Sequence, residues 1–294
     1  MATIRVAALQ MRSGQDPARN AVDFEALVRE AAARGAVYVQ SPEMTGALMR
    51  DRDALKAILR PQGEDGIELA AGRLAAELGI VVHVGSTAIA RADGKVANRA
   101  FLFGPDGGLI ATYDKIHMFD VDLDNGESWR ESATYEPGTV ATVADLPFAR
   151  LGMAVCYDVR FPQLFRAQAL AGAQVLSAPA AFTRQTGEAH WHILQRARAI
   201  ENGAFVISAA QGGLHEDGRE TYGHSLIVDP WGRVVAEADH DEPGVVVADI
   251  DLAEAARARA KIPNLKNARD FRVVHAVPAA AALEGRAAGG GAAR

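Results

Sequence analysis

Apolar residues along the chain recur at two spacings, every second residue as in strands and every third or fourth as in helices. Alternation between residues 4 and 10 predicts a first strand. A first helix is predicted from apolar positions at helical spacing, namely Phe24, Leu27, Val28 and Ala31. Asp16 and Pro17 suit its N-cap and first position, and Gly35 suits its end. Because an apolar strand, Ala36 to Val39, follows, the chain opens with a strand–helix–strand unit.

This pattern repeats along the chain. Further helices are predicted over 67–78, 162–171 and 188–202, and further strands over 80–84, 151–155, 175–178 and 204–209. Two hairpins flank turns with proline second and glycine fourth, as type I turns prefer, namely Gly104-Pro105-Asp106-Gly107 and Asp229-Pro230-Trp231-Gly232. Two related halves of this kind predict an α/β fold with two mixed β-sheets covered by helices.

Composition narrows the function classes. The 294 residues are 49% hydrophobic and 23% charged, which is typical of a soluble globular protein and not of a disordered one. The net charge of −6 is opposite in sign to that expected of a nucleic-acid binder, so we expect no nucleic-acid partner. No apolar run approaches the roughly 18–20 residues of a membrane helix, so we expect no membrane partner.

The chain has one cysteine, Cys156. A lone thiol makes neither an intrachain disulfide nor a cysteine-based zinc site, so the disulfide-stapled secreted class is excluded. The first residues are typical of a strand and lack the layout of a signal peptide. We therefore expect a reducing, cytoplasmic compartment.

Three residues of chemical interest each follow a predicted strand. Cys156 closes an apolar run, Glu43 follows the strand ending at Val39, and Lys115 follows the second arm of the first hairpin. Ligands of open α/β folds bind beyond the carboxyl ends of strands, so these side chains can converge on one mouth. If each residue is considered alone, a non-functional explanation is favoured. Cys156 would be an inert buried cysteine, and Glu43 and Lys115 would be solvated surface charges.

Histidine does not offer a clear alternative chemistry. His190 and His192 point to different faces of a helix, which argues against a metal site, and no local motif pairs Cys156 with a histidine. No phosphate-binding glycine motif is present. We therefore expect neither a metal nor a cofactor.

Several segments together resemble the nitrilase superfamily of carbon–nitrogen hydrolases, in the branch that holds deaminated glutathione amidase and omega-amidase. They are Ser41-Pro42-Glu43, Asp114-Lys115-Ile116-His117, residues 154–162, residues 186–191 and 195–202, Gly223-His224-Ser225 and Asp229-Pro230-Trp231-Gly232. The resemblance extends from about Ile4 to about Phe271. It implies one domain over residues 1–278, followed by an Ala/Gly-rich tail, Ala279 to Arg294, that we expect to fray.

The resemblance also implies an architecture and a site. The fold would be a four-layer α-β-β-α sandwich that pairs into homodimers or larger assemblies. The catalytic residues would be Glu43, Lys115 and Cys156, with Glu131 as a second glutamate. The segment from Asp120 to Gly126 departs from the family pattern, so we expect the lip of the pocket to differ.

Three further residues are expected to contact a small amide substrate, namely Tyr157, Arg160 and Thr186. Substrates of this branch carry a carboxylate distant from the amide, and the planar guanidinium of Arg160 suits a carboxylate. An ion pair of Arg160 with Asp158, or a dimer contact, is an equally weighted alternative. We expect Trp191 to lie in the core.

The favoured hypothesis is a cofactor-free amidase that hydrolyses the C–N bond through a cysteine thioester and releases ammonia, acting on deaminated glutathione or omega-amides of 2-oxo acids. One alternative is an N-carbamoyl amide hydrolase that uses the same triad. The other alternative is a catalytically silent binding or scaffold protein of the same fold.

Overall fold

A computed structural model describes residues 3–123, 126 and 128–276. The strands in this part of the chain are β1 (Thr3–Gln10), β2 (Tyr38–Gln40), β3 (Val81–Ala90), β4 (Val96–Phe103), β5 (Leu109–Asp114), β6 (Asp120–Asp122), β7 (Ser128–Arg130), β8 (Thr142–Asp145), β9 (Arg150–Met153), β10 (Val175–Ser177), β11 (Phe205–Ser208), β12 (Gly212–Leu214), β13 (Glu220–Tyr222), β14 (Leu226–Val228), β15 (Val234–Glu237) and β16 (Gly244–Asp251). The expected tail from Ala279 lies outside the described residues.

Helices alternate with these strands. They are α1 (Pro17–Ala33), α2 (Arg52–Ile58), α3 (Gly66–Leu78), α4 (Pro162–Leu170), α5 (Arg184–Asn202), α6 (Ala253–Lys261) and α7 (Asn264–Asn267), with two 3₁₀ helices, Glu131–Ala133 and Cys156–Arg160. Each crossover helix follows a strand and precedes a parallel neighbour, as the sequence pattern predicts.

Two six-stranded sheets have the same internal arrangement. The first has the strand order β16-β1-β2-β3-β4-β5 and the second β15-β14-β11-β10-β9-β8. Three central strands run parallel in each sheet, with an antiparallel hairpin on one side and a single antiparallel strand on the other. The predicted pair of mixed sheets is thus confirmed.

The sheets pack face to face, with helices on both outer sides. Val6 and Ala8 of β1 belong to the apolar cluster shared with the second sheet, whereas Ala7 and Leu9 pack against α1 and α3. Trp191 of α5 is buried in the cluster that contains the second sheet, as expected. The four-layer α-β-β-α sandwich is therefore confirmed, and it buries both faces of the central strands.

Local sequence signals set most element ends. The Asp16 side chain accepts the N–H of Ala18 at 2.9 Å and caps α1, and Gly35 after α1 adopts φ +85°. Gly107 N–H and Gly232 N–H each donate to the carbonyl three residues earlier, which confirms both predicted turns. The prediction for β2 was two residues early at its start, because pairing with β1 places Tyr38 opposite Val6.

Two predicted elements are longer in the structure, and two hairpins were not predicted. Helix α5 begins four residues before the predicted start, and β3 continues to Ala90 where a strand over 80–84 was predicted. The hairpins β6–β7 and β12–β13 lie outside both sheets and have no strong apolar alternation. Both stand near the ends of the strands that carry the site.

A glycine allows the loop after β2 to pass close to β3. A methyl group at Gly85 would lie 2.1 Å from the carbonyl oxygen of Ser41 and 2.6 Å from that of Pro42. Any larger residue would force the backbone beside Glu43 to move. The position of Glu43 therefore depends on the absence of a side chain on a neighbouring strand.

Within the described residues, no helix is long and apolar enough to cross a membrane.

A buried imidazole between the sheets makes stability depend on pH. His83 of β3 is fully buried, its Nδ1 lies 2.7 Å from the hydroxyl of Tyr38, and burial lowers its pKa to about 3. Below about pH 6.5 this histidine is protonated in the unfolded chain but stays neutral in the folded chain. The free energy of unfolding therefore falls as the pH drops. We predict that this residue accounts for a loss of about 2 kcal/mol between about pH 6.5 and about pH 5.

Urea unfolding of wild type and His83→Gln at these two pH values measures this contribution. The variant should lose less stability on acidification than wild type does. His275→Gln, at an exposed position, should behave as wild type. Equal pH dependence in wild type and His83→Gln would contradict the prediction.

Candidate active site

Cys156 lies at a sharp turn between β9 and α4. It opens the 3₁₀ helix Cys156–Arg160 with φ +51°, and its N–H donates to the carbonyl of Pro179 at 2.8 Å. Such a left-handed conformation costs a non-glycine residue on the order of 1–3 kcal/mol and is kept only where the surroundings enforce it. The Asp158 carboxylate helps to enforce it by accepting the N–H of Val155 at 2.9 Å and the hydroxyl of Tyr113 at 2.7 Å.

Glu43 is held by a second strained turn, which follows β2. Met44 beside it adopts φ +55°, and the Gln211 side-chain amide donates to the Glu43 carbonyl at 3.0 Å. The Glu43 carboxylate accepts the backbone N–H of Ala181 at 3.0 Å, and its charge raises the pKa of the Cys156 thiol. The turn therefore directs this carboxylate at the sulfur.

The ammonium of Lys115 joins two carboxylates. Its Nζ lies 2.8 Å from Glu43 Oε1, 2.9 Å from Glu131 Oε1 and 2.8 Å from Glu131 Oε2. An ammonium has three N–H donors, and these contacts use all of them. The Lys115 side chain is 2% exposed, so the three groups form a buried charge set.

Asn98 of β4 binds the same two carboxylates, and sequence reasoning missed it. Its side-chain amide donates to Glu43 Oε1 and to Glu131 Oε1, both at 3.0 Å, and its backbone carbonyl accepts the N–H of Lys115 at 2.9 Å. The only signal in the sequence is that Asn98, next to Arg99, is polar in a strand whose other residues are apolar. The N–H of Phe119 completes the set by donating to Glu131 at 2.7 Å.

Burial and charge shift the pKa values of these groups in opposite directions. Burial acts to raise the pKa of Glu43, but the Lys115 ammonium and the Cys156 and Asn98 hydrogen bonds hold it below its ordinary value. Burial acts to lower the pKa of Lys115, yet the charges of Glu131 and Glu43 raise it well above its ordinary value. The lysine is therefore an ammonium throughout the neutral range.

The thiol and the second glutamate shift upward. Burial and the Glu43 charge raise the pKa of Cys156 well above its ordinary value, so the resting sulfur carries its proton. Burial, together with the neighbouring Glu43 charge, raises the pKa of Glu131 in spite of Lys115. A neutral thiol thus faces an ionised carboxylate.

A cavity of about 240 Å³ opens onto the sulfur. The predicted site residues Glu43, Lys115, Glu131 and Cys156 all line it, as do Tyr157, Arg160 and Thr186. The structure therefore brings every residue predicted from the sequence to one pocket. The Thr186 hydroxyl already has a hydrogen-bond partner within the protein, because it lies 2.9 Å from the Thr183 hydroxyl.

Arg160 lies at the pocket wall without an ion-pair contact to Asp158, so that alternative was wrong. The Asp158 carboxylate instead accepts the hydroxyl of Tyr113, and its Oδ1 lies 2.6 Å from Nδ1 of His117. The Arg160 guanidinium instead lies 5.3 Å from the ring centre of Phe182 and 3.2 Å from Nδ1 of His190. Burial lowers the pKa of this guanidinium, which nevertheless stays charged.

The two hairpins missed in the sequence form the outer wall of the same cavity. Trp129 and Arg130 of β7 line it from one side, and Arg219 and Glu220 line it from the other. The Arg219 guanidinium lies 4.8 Å from the centre of the Trp129 ring, within range of a cation–π contact. These strands therefore shape the lip of the pocket.

This sandwich, with its pocket beyond the ends of the strands, defines a protein of the nitrilase superfamily, and solved structures agree. The chain superposes on the NitFhit protein of C. elegans with a TM-score of 0.82 and 33% identity, covering 92% of this chain and 66% of that longer one. It also matches a variant of an amidase from Nesterenkonia sp. AN1, with an acetamide moiety covalently added at the active-site cysteine (TM-score 0.74, 26% identity, 88% of this chain and 95% of the other).

Sequence comparison narrows the class further. The carbon-nitrogen hydrolase model matches residues 5–260. A deaminated glutathione amidase from Yersinia enterocolitica is 40% identical over 273 residues, covering 92% of this chain and 94% of the relative. An omega-amidase from Homo sapiens is 36% identical over 269 residues, covering 92% of this chain and 96% of the relative. The chain belongs to the carbon–nitrogen hydrolase family and is an amidase of that family.

The electrostatics of the pocket predict the effect of neutralising Glu43. In Glu43→Gln the charge that raises the pKa of Cys156 is gone while the Lys115 ammonium remains, so we expect the pKa of the thiol to fall. Cys156 is the single cysteine of the chain, so the ultraviolet absorbance of its thiolate can be titrated without ambiguity. Cys156→Ser supplies the background.

The expected result is thiolate formation at a lower pH in Glu43→Gln than in wild type. An unchanged or higher midpoint in the variant would show that Glu43 does not set the ionisation of this sulfur.

Proposed function

We propose that the protein hydrolyses the C–N bond of small carboxylate-bearing amides through a thioester on Cys156. The observation that carries this proposal is the Glu43 carboxylate, which contacts the Lys115 ammonium at 2.8 Å and lines the same cavity as the Cys156 sulfur. A protonated nucleophile, its base and a fixed positive charge are the three groups that amide hydrolysis needs. Among the described residues that line the cavity there is no histidine to take the part of the base.

In the first step the Cys156 sulfur attacks the amide carbonyl carbon. The S–H proton passes to Glu43 as the C–S bond forms, and the electron pair of the C=O bond moves onto oxygen. Glu43 then gives this proton to the amide nitrogen, and the C–N bond breaks. The products are a thioester on Cys156 and a free amine, or ammonia where the amide is primary.

The Lys115 ammonium and a backbone N–H are proposed to hold the charge that develops on oxygen. Tyr157 N–H lies in the first turn of the 3₁₀ helix, where backbone donors lack helical acceptors. Lys115 contacts both oxygens of Glu131, so one of those hydrogen bonds can be given to the substrate oxygen while the other still pairs the carboxylate. Loss of one such donor typically slows a reaction on the order of 10²–10³-fold.

In the second step water releases the acid. Glu43, again a carboxylate, takes a proton from a water molecule that attacks the thioester carbon, and the C–S bond breaks. The proton returns from Glu43 to the Cys156 sulfur, which restores the resting thiol. Glu131 is proposed to keep Lys115 in place through both steps.

Arg160 is proposed to bind the distal carboxylate of the substrate. It lines the cavity, and its side-chain hydrogen-bond partner is the ring of His190, at 3.2 Å, and not a carboxylate. A partly buried guanidinium of this kind favours an anion that can bind both of its N–H edges. Tyr157 and Thr186 are proposed to contact the rest of the substrate.

Two substrate classes fit the names of the relatives. Omega-amides of 2-oxo acids are primary amides and would release ammonia. Deaminated glutathione is a substituted amide whose nitrogen belongs to the dipeptide cysteinylglycine, so it would release that dipeptide and not the ammonia expected from the sequence. We propose that the outer wall with Trp129 and Arg219 accommodates the larger leaving group in the second case.

The same proposal includes a compartment and an assembly. A catalytic thiol must stay reduced, which fits a cytoplasmic location. Assembly into homodimers or larger homo-oligomers is supported by large apolar side chains on the outer faces of α4 and α5, since Leu170, Ile193 and Ile200 are exposed.

Replacement of the nucleophile tests the reaction. Cys156→Ala should fold as wild type and lose hydrolysis of 2-oxoglutaramate and deaminated glutathione by about 10⁴-fold or more, because the thioester cannot form. Intact-mass measurement after acid quench should detect an added acyl group on wild type and none on the variant. Retained turnover by Cys156→Ala would contradict the mechanism, and hydrolysis only of N-carbamoyl amino acids by wild type would contradict the substrate class.

Replacement of Arg160 tests substrate recognition. Arg160→Ala should raise KM about 10- to 100-fold for amides with a distal carboxylate, since a charge-assisted contact contributes roughly 1.5–3 kcal/mol. Neutral amides of equal length should be affected little. Arg160→Lys keeps the charge without the planar fork and should fall between the two. An equal loss for charged and neutral amides would mean that Arg160 only supports the pocket wall.

A further inference from the structure

Two histidines and a glutamate converge at a place away from the catalytic pocket. His192 lies on α5, His224 lies just before β14, and Glu237 ends β15. Glu237 Oε1 is 2.6 Å from His192 Nε2 and 3.0 Å from His224 Nδ1. The three ligand atoms all lie within 4.8 Å of one another. None of these residues lines the cavity at Cys156.

The backbone at His224 is strained in a way that places its ring. His224 has φ +56°, and the only other non-glycine residues with positive φ in the described part of the chain are Met44 and Cys156, both at the catalytic pocket. Strain of this kind persists where the surroundings enforce it and gathers at functional sites. Here the Trp191 ring N–H donates to the His224 carbonyl at 2.8 Å, and Tyr222 stacks on its ring at 4.2 Å.

We propose that His192, His224 and Glu237 form a binding site for a divalent transition metal of the Zn²⁺ type. Two imidazole nitrogens and one carboxylate oxygen are a donor set that suits zinc, with water in the fourth position. Ligand atoms around a four-coordinate zinc at about 2.0–2.1 Å lie roughly 3.3 Å apart. The contacts of 2.6 and 3.0 Å are close to that spacing, so small side-chain shifts complete the site.

The site departs from the expectation drawn from the sequence, which compared only His190 and His192 along one helix. The structure brings His192 its partners from two other segments, 32 and 45 residues further along the chain. A metal would tie α5 to the β14–β15 hairpin. One carboxylate that accepts two histidine N–H bonds is the plain alternative, and it is separable by experiment.

The variant Glu237→Gln separates the two explanations. A glutamine keeps an oxygen that accepts both histidine hydrogen bonds but removes the negative charge that a divalent cation needs. A hydrogen-bonded trio would tolerate this change, whereas a metal site would lose affinity. Because the site lies outside the catalytic pocket, a negative result for metal binding would not affect the proposed amidase mechanism.

The test is calorimetric titration of the metal-free, untagged protein with Zn²⁺, and with Co²⁺ for its visible spectrum. We expect one ion per chain at this site and a Co²⁺ spectrum of nitrogen and oxygen ligation without a thiolate charge-transfer band. Glu237→Gln and His224→Ala should each weaken binding by at least about 100-fold, since loss even of an outer partner of a ligand costs 10–100-fold. Thermal melts without metal verify that both variants fold.

Two control variants show whether loss of Zn²⁺ binding is specific to the proposed site. His240→Ala removes an exposed histidine and should bind Zn²⁺ as wild type does. Cys156→Ala should also retain this binding. Binding that is lost in Cys156→Ala, or that is equal in wild type and Glu237→Gln, would overturn the proposal, as would the absence of binding at micromolar Zn²⁺.

Discussion

A single buried ammonium between two carboxylates is the interaction on which the rest of the site depends. Lys115 contacts Glu43 and Glu131 at 2.8–2.9 Å and is 2% exposed, so its charge is balanced by protein groups and little by water. This balance keeps Glu43 ionised although burial alone would raise its pKa, and the facing Cys156 thiol stays protonated. The two sheets hold Glu43, Lys115 and Cys156 in place, because each of these three residues lies just beyond the end of one of their strands.

Much of this could be predicted from the sequence because parallel strand units repeat. Apolar strands followed by capped helices fix the direction of each strand, and the carboxyl ends of parallel strands meet at one edge. Glu43 and Cys156 each follow such a strand, and Lys115 follows β5, a hairpin strand that runs in the same direction as β3, so their convergence follows from chain direction. Turn residues with fixed backbone preferences, such as Pro105 and Gly107, explain why the hairpins were also predicted correctly.

The remainder depends on contacts between segments that are distant in the sequence. Asn98 gives no signal by itself, since only the fold places its amide between two carboxylates. The pairing of Asp158 with Tyr113 and His117, which leaves Arg160 at the pocket wall, is set by where β5 ends relative to β9. The short hairpins at the pocket lip lack apolar alternation for two reasons. Strands β6 and β7 are largely exposed, and β12 and β13 bury small or polar residues, namely Gly212, Gly213 and Thr221.

The buried charge balance is tested most directly by unfolding Lys115→Met, Glu131→Gln and the double variant in urea at neutral pH. Lys115→Met leaves two buried carboxylates without their ammonium and should lose about 3 kcal/mol or more of stability. Adding Glu131→Gln to it removes one of the unpaired charges, so the double variant should be more stable than Lys115→Met by at least about 1 kcal/mol. Additive losses, with the double variant the least stable of the three, would contradict a charge set held together by Lys115.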